Sequence, residues 1–286
     1  MATVSRRFLI ESTLALAAGA VLAPRGENMA RQPGRLKQSV SRWPFGRIPL
    51  PQFARAAKEM GLVAIDLLGP DEWPVVRDAG LVCSMGYPTG RNDFIATGFN
   101  NPGNHPMLLK ELETTIPLAA RAGVPNVIAM FGNRTGASDA EAIGHCVAGL
   151  RRIAPLAEEQ GVTVCVELLN SKVDHAGYQG DRTAFGVSVM KDVGSPRVKL
   201  LYDIYHMQIM EGDVIRTIRD NREFIAHFHT GGVPGRNELD ETQELNYRAV
   251  ARAIADTGFS GYVAHEFVPT RDPLTSLRQA VAICEV

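Results

Sequence analysis

Four short runs of this sequence end in side chains of metal-ligand type. Residues 164–167 end at Glu167, 200–203 at Asp203, 226–229 at His229 and 262–266 at Glu266. Each run is mostly apolar up to its end, and charged groups seldom sit beside such runs without a partner. A single acid in that position is more often a surface or capping group, so only the four together point to a shared site. Three carboxylates brought close would repel one another and raise each other's pKa values. A divalent cation removes that repulsion. Three oxygen ligands and one imidazole suit Mn²⁺, Mg²⁺ or Co²⁺ better than a thiolate-seeking metal. Such a set leaves room for two more ligands, which a bidentate hydroxy-carbonyl compound could supply. The ion would polarise a carbonyl and stabilise an enediolate. Either Glu167 or Glu266 could then act as the base.

The elements that must position these groups follow from the pattern around them. From residue 36 onward, short apolar runs alternate with longer helical ones, which argues for βα units and a parallel sheet. Strands are predicted at 36–42, 63–67, 81–85, 126–131, 162–168, 198–202, 225–229 and 262–266. Helices are predicted at 50–60, 72–78, 107–122, 140–160, 183–193, 214–221, 247–257 and 273–283. Gly61, Gly80, Gly123, Gly161, Gly194 and Gly258 each follow a helical run, where the left-handed C-terminal cap favours glycine. Eight such units in about 250 residues predict an α/β fold, a single-domain (β/α)8 TIM barrel over 36–286. A doubly wound sheet is the alternative, but no GxGxxG follows the first strand. In the barrel, all four candidate ligands lie at the C-terminal ends of adjacent strands, the face where such barrels carry their sites.

Other residues receive plainer readings. His227 shares the face of His229 one layer deeper and is expected to be a hydrogen-bonded core or supporting group. His265 should point away from Glu266. His105 and His175 are placed in loops, and His145 on a helix. Cys83, Cys146, Cys165 and Cys284 show no CxxC spacing, and Cys83 and Cys165 read as small buried hydrophobes. The segment 86–105 is long for a barrel loop, and a lid and surface decoration both fit it.

Composition narrows the partners. The 286 residues carry 30 Lys+Arg against 31 Asp+Glu, with 45% hydrophobic and 21% charged residues. That is an ordinary globular balance, with no general attraction for nucleic acid or anionic membrane. A small-molecule substrate is the expected partner, and homo-oligomer formation stays open. At the N-terminus, Arg6 and Arg7 precede an apolar stretch over 14–23, with Ala18, Gly19 and Ala20 as a cleavage-site pattern. The stretch is short for a transmembrane helix. It resembles a twin-arginine signal, without the usual spacer before Phe8. Residues 1–35 are therefore expected to be signal and linker, and the protein periplasmic or exported, or cytoplasmic if the signal does not function.

Five segments together carry a resemblance. They are 166–170 with Glu167 and Asn170, 203–213 with Asp203 and His206, and 227–240 with His227, His229 and Arg236. The last two are 244–247 and 261–267 with Glu266. The chain resembles the xylose-isomerase-like barrel superfamily of sugar isomerases and epimerases, and within it the hydroxypyruvate isomerase family. The resemblance implies a divalent metal on Glu167, Asp203, His229 and Glu266, with the two glutamates also the acid/base pair. It implies substrate contacts at His206 and Arg236, and Asn170 is grouped with them. Arg236 would suit a carboxylate or enediolate oxygen. Hydroxypyruvate isomerases tend to carry Gln where this chain has His229, and the imidazole is closer to the ketose epimerase branch. The implied activity is isomerisation or epimerisation of a small hydroxy-carbonyl or sugar. A lyase or hydrolase on keto- or C-glycosidic sugars, or a sugar-binding protein, would use the same site. A multi-zinc phosphodiesterase would need more ligands on strands two to four, where only Asp66 is available.

Overall fold

The six glycines expected to end helices all take positive φ, between 68° and 90°. Each lets the chain leave a helix and turn toward the next strand. The structure, a computed structural model, describes residues 34–286. Most of the signal-and-linker stretch assigned to 1–35 lies outside them. Among the described residues, no helix is long and apolar enough to cross a membrane.

The first half of the chain runs β1 Lys37–Ser41, α1 Leu50–Glu59, β2 Ala64–Leu68, α2 Trp73–Asp78, β3 Val82–Gly86, α3 His105–Ala122, β4 Asn126–Met130 and α4 Asp139–Gln160. The second runs β5 Thr163–Leu168, α5 Thr183–Val193, β6 Val198–Asp203, α6 Ile204–Met210, α7 Val214–Asn221, β7 Ile225–Thr230, α8 Tyr247–Asp256, β8 Tyr262–His265 and α9 Pro273–Cys284. All eight strands are parallel, in sequential order, and β8 pairs with β1 to close the barrel. Strands β2, β4 and β5 are buried along their whole length, as expected where side chains fill the barrel on one face and meet helices on the other. Cys83 and Cys165 are buried in that packing, and burial pushes both thiols up.

Two elements differ from expectation. His105 opens α3 instead of lying in the loop before it. Its ring is buried and its Nε2 sits 2.9 Å from the Phe99 carbonyl oxygen. Helix α6 is absent from the predicted elements. With seven residues directly after a strand, it is too short to show a helical period.

The register explains why the strand ends meet. Glu167 pairs with Leu201, Asp203 with His229, and His229 with Ala264. Leu201 and Ala264 lie two residues before Asp203 and Glu266, so all four candidate side chains share the inward face.

The segment after β3 folds back over the mouth. Phe99 and Asn100 donate backbone hydrogen bonds to the carbonyls of Met130 and Phe131, at 3.1 and 2.9 Å. Gly98 sits so close that a Cβ there would lie 2.1 Å from the Phe131 carbonyl carbon. Gly98→Ala is therefore expected to destabilise the fold by about 2–3 kcal/mol, read from urea unfolding. An unchanged midpoint would mean that this segment does not pack as described.

Candidate metal centre

Glu167 from β5, Asp203 from β6, His229 from β7 and Glu266 just beyond β8 each offer an atom, and these atoms all lie within 4.8 Å of one another. All four residues are buried. His229 Nδ1 lies 2.6 Å from Glu266 Oε2, 3.3 Å from Glu167 Oε1 and 3.8 Å from Asp203 Oδ2. Yet Nδ1 makes no hydrogen bond. A buried ring nitrogen aimed at three carboxylates, with no bond of its own, suits a shared cation. The donor set fits a hard divalent ion.

Charge within the cluster is unevenly distributed. Burial pushes Glu167 up to about 7, despite the pull of His229. Burial opposes ionisation of Glu266 too, but His229 and Arg236 outweigh it and hold Glu266 down at about 2. The indole Nε1–H of Trp43, in the turn after β1, donates to Glu266 Oε1 at 2.5 Å. Environments that set the acidities of neighbouring carboxylates so far apart are the usual means of separating acid from base.

Arg236 lies in the loop between β7 and α8. Its Nη2 donates to Asp203 Oδ2 at 2.6 Å and, closer still, to Glu266 Oε2. Its Nη1 donates to His206 Nε2 at 2.7 Å, and the guanidinium stacks over Tyr205 at 4.9 Å. His206, in α6, is held well below the usual imidazole range by burial and then by Arg236. It is therefore neutral and can accept that bond.

A cavity of about 570 Å³ takes much of its polar wall from Glu167, Asp174, His175, His206, Arg236 and Glu266, and its apolar wall from residues that include Trp43, Leu67, Tyr87, Phe94, Ile95 and Met130. The segment after β3 contributes residues from Tyr87 to Ile95. It lines the pocket and is therefore more than surface decoration. Asn170 lies elsewhere. It is fully buried, its Oδ1 accepts from the backbone N–H of Val173 and Asp174, and its Nδ2 reaches Asp174 Oδ2 and His206 Nδ1. That places it behind the wall, holding the loop beside the His206 ring.

Trp43, Tyr87, Asp174 and His175 were not singled out as site residues from the sequence. A Trp two residues beyond the C-terminal end of β1 was the available signal for Trp43. The remaining histidines follow expectation: His227 is hydrogen-bonded in the core, and His265 bonds Gln38 and Thr230 at 2.9 and 3.1 Å. The His145 ring meets the Asn100 carbonyl at 3.0 Å.

A closed eight-stranded α/β barrel with an acid–imidazole cluster at its C-terminal mouth defines the structural class. Residues 33–284 match the family described as xylose isomerase-like TIM barrel, and the chain belongs to it. Among curated relatives, a human protein provisionally named hydroxypyruvate isomerase is 27% identical over 86% of this chain and 93% of its own length. The 2-oxo-tetronate isomerase of Cupriavidus necator is 37% identical over 41% of this chain and 44% of its own. Among solved structures, a Brucella melitensis protein described as an AP endonuclease of family 2 superposes with a TM-score of 0.75 at 23% identity, covering 85% of this chain and 97% of that one. That last likeness speaks for the fold alone.

Proposed function

We propose that this protein is an isomerase or epimerase that moves a proton beside the carbonyl of a hydroxy-carbonyl compound or sugar. One divalent cation, Mn²⁺, Mg²⁺ or Co²⁺, would be held by Glu167, Asp203, His229 and Glu266. The observation that carries this reading is the convergence of those four donors within 4.8 Å, with Glu167 and Glu266 lining a cavity. The names of the human and Cupriavidus relatives support the reaction class. When bound, the cation would polarise the substrate carbonyl and make the adjacent C–H more acidic.

The residues then divide the work. Glu266, held ionised beside His229 and Arg236, takes the proton. Glu167, with the higher pKa, gives a proton of its own to the neighbouring carbon or to the other face of the same one, while Glu266 keeps the one it took. Arg236 and His206 meet the substrate's oxygens from the polar wall. Trp43 fixes the free oxygen of Glu266. The 570 Å³ cavity falls within the range of about 300–1,000 Å³ usual for ligand pockets, which favours a sugar over a three-carbon acid. Its apolar wall also suits the second reading, a lyase or hydrolase on keto- or C-glycosidic sugars.

A substrate panel in D₂O tests both. Hydroxypyruvate, short ketoses and 3-keto sugars are each incubated with Mn²⁺, Mg²⁺ or Co²⁺, freed of metal, and examined by NMR beside a direct product assay. The expected result is an isomer or epimer, with deuterium at the exchanging carbon when solvent reaches it. Cleavage products would replace the first reading by the second. Neither product nor exchange across the panel would sink the isomerase assignment.

A further inference from the structure

Directly beneath the proposed metal ligands lies a second cluster, Asp66, His227 and His229, whose donor atoms also converge within 4.8 Å. Asp66 comes from β2 and reaches across the barrel interior to β7. Its Oδ2 lies 2.7 Å from His229 Nε2 and 3.1 Å from His227 Nε2. Its Oδ1 accepts from the Ser84 hydroxyl at 2.8 Å. Ser39 Oγ stands 2.6 Å from Ser84 Oγ. Ser84 gives its proton to Asp66, so Ser39 gives its own to Ser84. The chain of donors thus ends on one fully buried carboxylate.

Two further observations show that this placement is built. The β2–β3 register slips on both sides of Asp66, and Leu67 takes a φ of +58°. A non-glycine residue in that region is strained by about 1–3 kcal/mol, and bulges of this kind re-aim a side chain. Asp66 also meets three polar groups that can all donate to it, the Ser84 hydroxyl at Oδ1 and the Nε2 atoms of His227 and His229 at Oδ2. An ionised carboxylate only accepts hydrogen bonds. Both Nε2 atoms must then carry the protons, and both Nδ1 atoms are left bare when the rings are neutral. Those two Nδ1 atoms are indeed buried without a hydrogen bond.

We infer that Asp66 is the positioning residue of the metal centre: it fixes the Nε2–H tautomer and the ring orientation of His229, so that Nδ1 presents its lone pair to the cation. Hydrogen-bonded carboxylates behind a ligating imidazole typically change metal affinity about 10–100-fold. The inference rests on the metal reading above, and its test separates the two.

Mn²⁺ alone is titrated into wild-type and Asp66→Asn protein by calorimetry, with circular dichroism as the check on folding. Long-range ¹H–¹⁵N correlation reports the His229 tautomer in the wild type, with and without Mg²⁺. The expected results are one Mn²⁺ per wild-type chain and about 10–100-fold weaker binding in Asp66→Asn. In the wild type, His229 should carry its proton on Nε2, and its Nδ1 signal should shift on Mg²⁺ addition. Wild-type Mn²⁺ affinity in folded Asp66→Asn, or a His229 proton on Nδ1 in the Mg²⁺-bound wild type, overturns the role of Asp66. Failure of the wild type to bind any divalent ion overturns the metal centre itself. The tautomer measurement needs no variant, so it decides the matter even if Asp66→Asn does not fold.

Discussion

Glu266→Gln is expected to lower turnover by about 10²–10⁴-fold while only weakening metal binding. Glutamine keeps one oxygen that can face the cation, at the cost of placing its NH2 where Glu266 Oε1 now accepts from the Trp43 indole at 2.5 Å. What it lacks is a group that takes a proton. Of the three carboxylates in the four-residue centre, Glu266 is the one held in its ionised form, with His229 and Arg236 both beside it, so its loss falls on the proton-transfer step. The measurements are steady-state kcat on whichever substrate the panel yields, and metal content of the same preparation. Unchanged kcat would sink the assignment of Glu266 as base. A collapse of metal content equal to that of a ligand deletion would move its role from chemistry to binding.

His229→Ala should have the opposite signature. Metal content after dialysis, read by elemental analysis, is expected to fall to background at concentrations that saturate the wild type, a loss of more than about 100-fold in affinity. The change removes the only nitrogen in the cluster and also strips Asp66 of its 2.7 Å partner. A buried carboxylate left with one fewer hydrogen bond costs about 1–3 kcal/mol, so a lower unfolding midpoint should accompany the metal loss. His229→Gln separates the two effects, because its amide can offer an oxygen to the cation and an N–H to Asp66. Full metal occupancy in His229→Ala would remove the imidazole from the ligand set.

Much of this centre was legible along the chain. In a parallel strand, residues two apart share a face, and in a sequential barrel each strand lies beside the next. Four apolar runs ending in Glu167, Asp203, His229 and Glu266 therefore point to one place as soon as the eight βα units are recognised. The glycine caps made those units recognisable, since a left-handed residue at a helix end is a local requirement that nearly excludes other side chains. Boundaries shifted by only a residue or two, and α6 was lost because seven residues carry too little periodicity.

What stayed hidden has a common physical cause. Asp66 meets His229 across 163 positions of sequence, and Trp43 meets Glu266 across 223. Neither contact leaves a periodic trace, because each depends on barrel closure and on which way a single backbone turns. Asn170 shows the limit from the other side. Its motif grouped it with the substrate contacts, while its own amide is engaged in holding the loop through Val173 and Asp174. The sequence by itself determined the barrel, the face that carries the site and the four groups that converge there. Only the tertiary structure decided which nitrogen of His229 meets the carboxylates. That choice is made by a buried acid on a strand across the barrel, aimed inward by a bulge at Leu67.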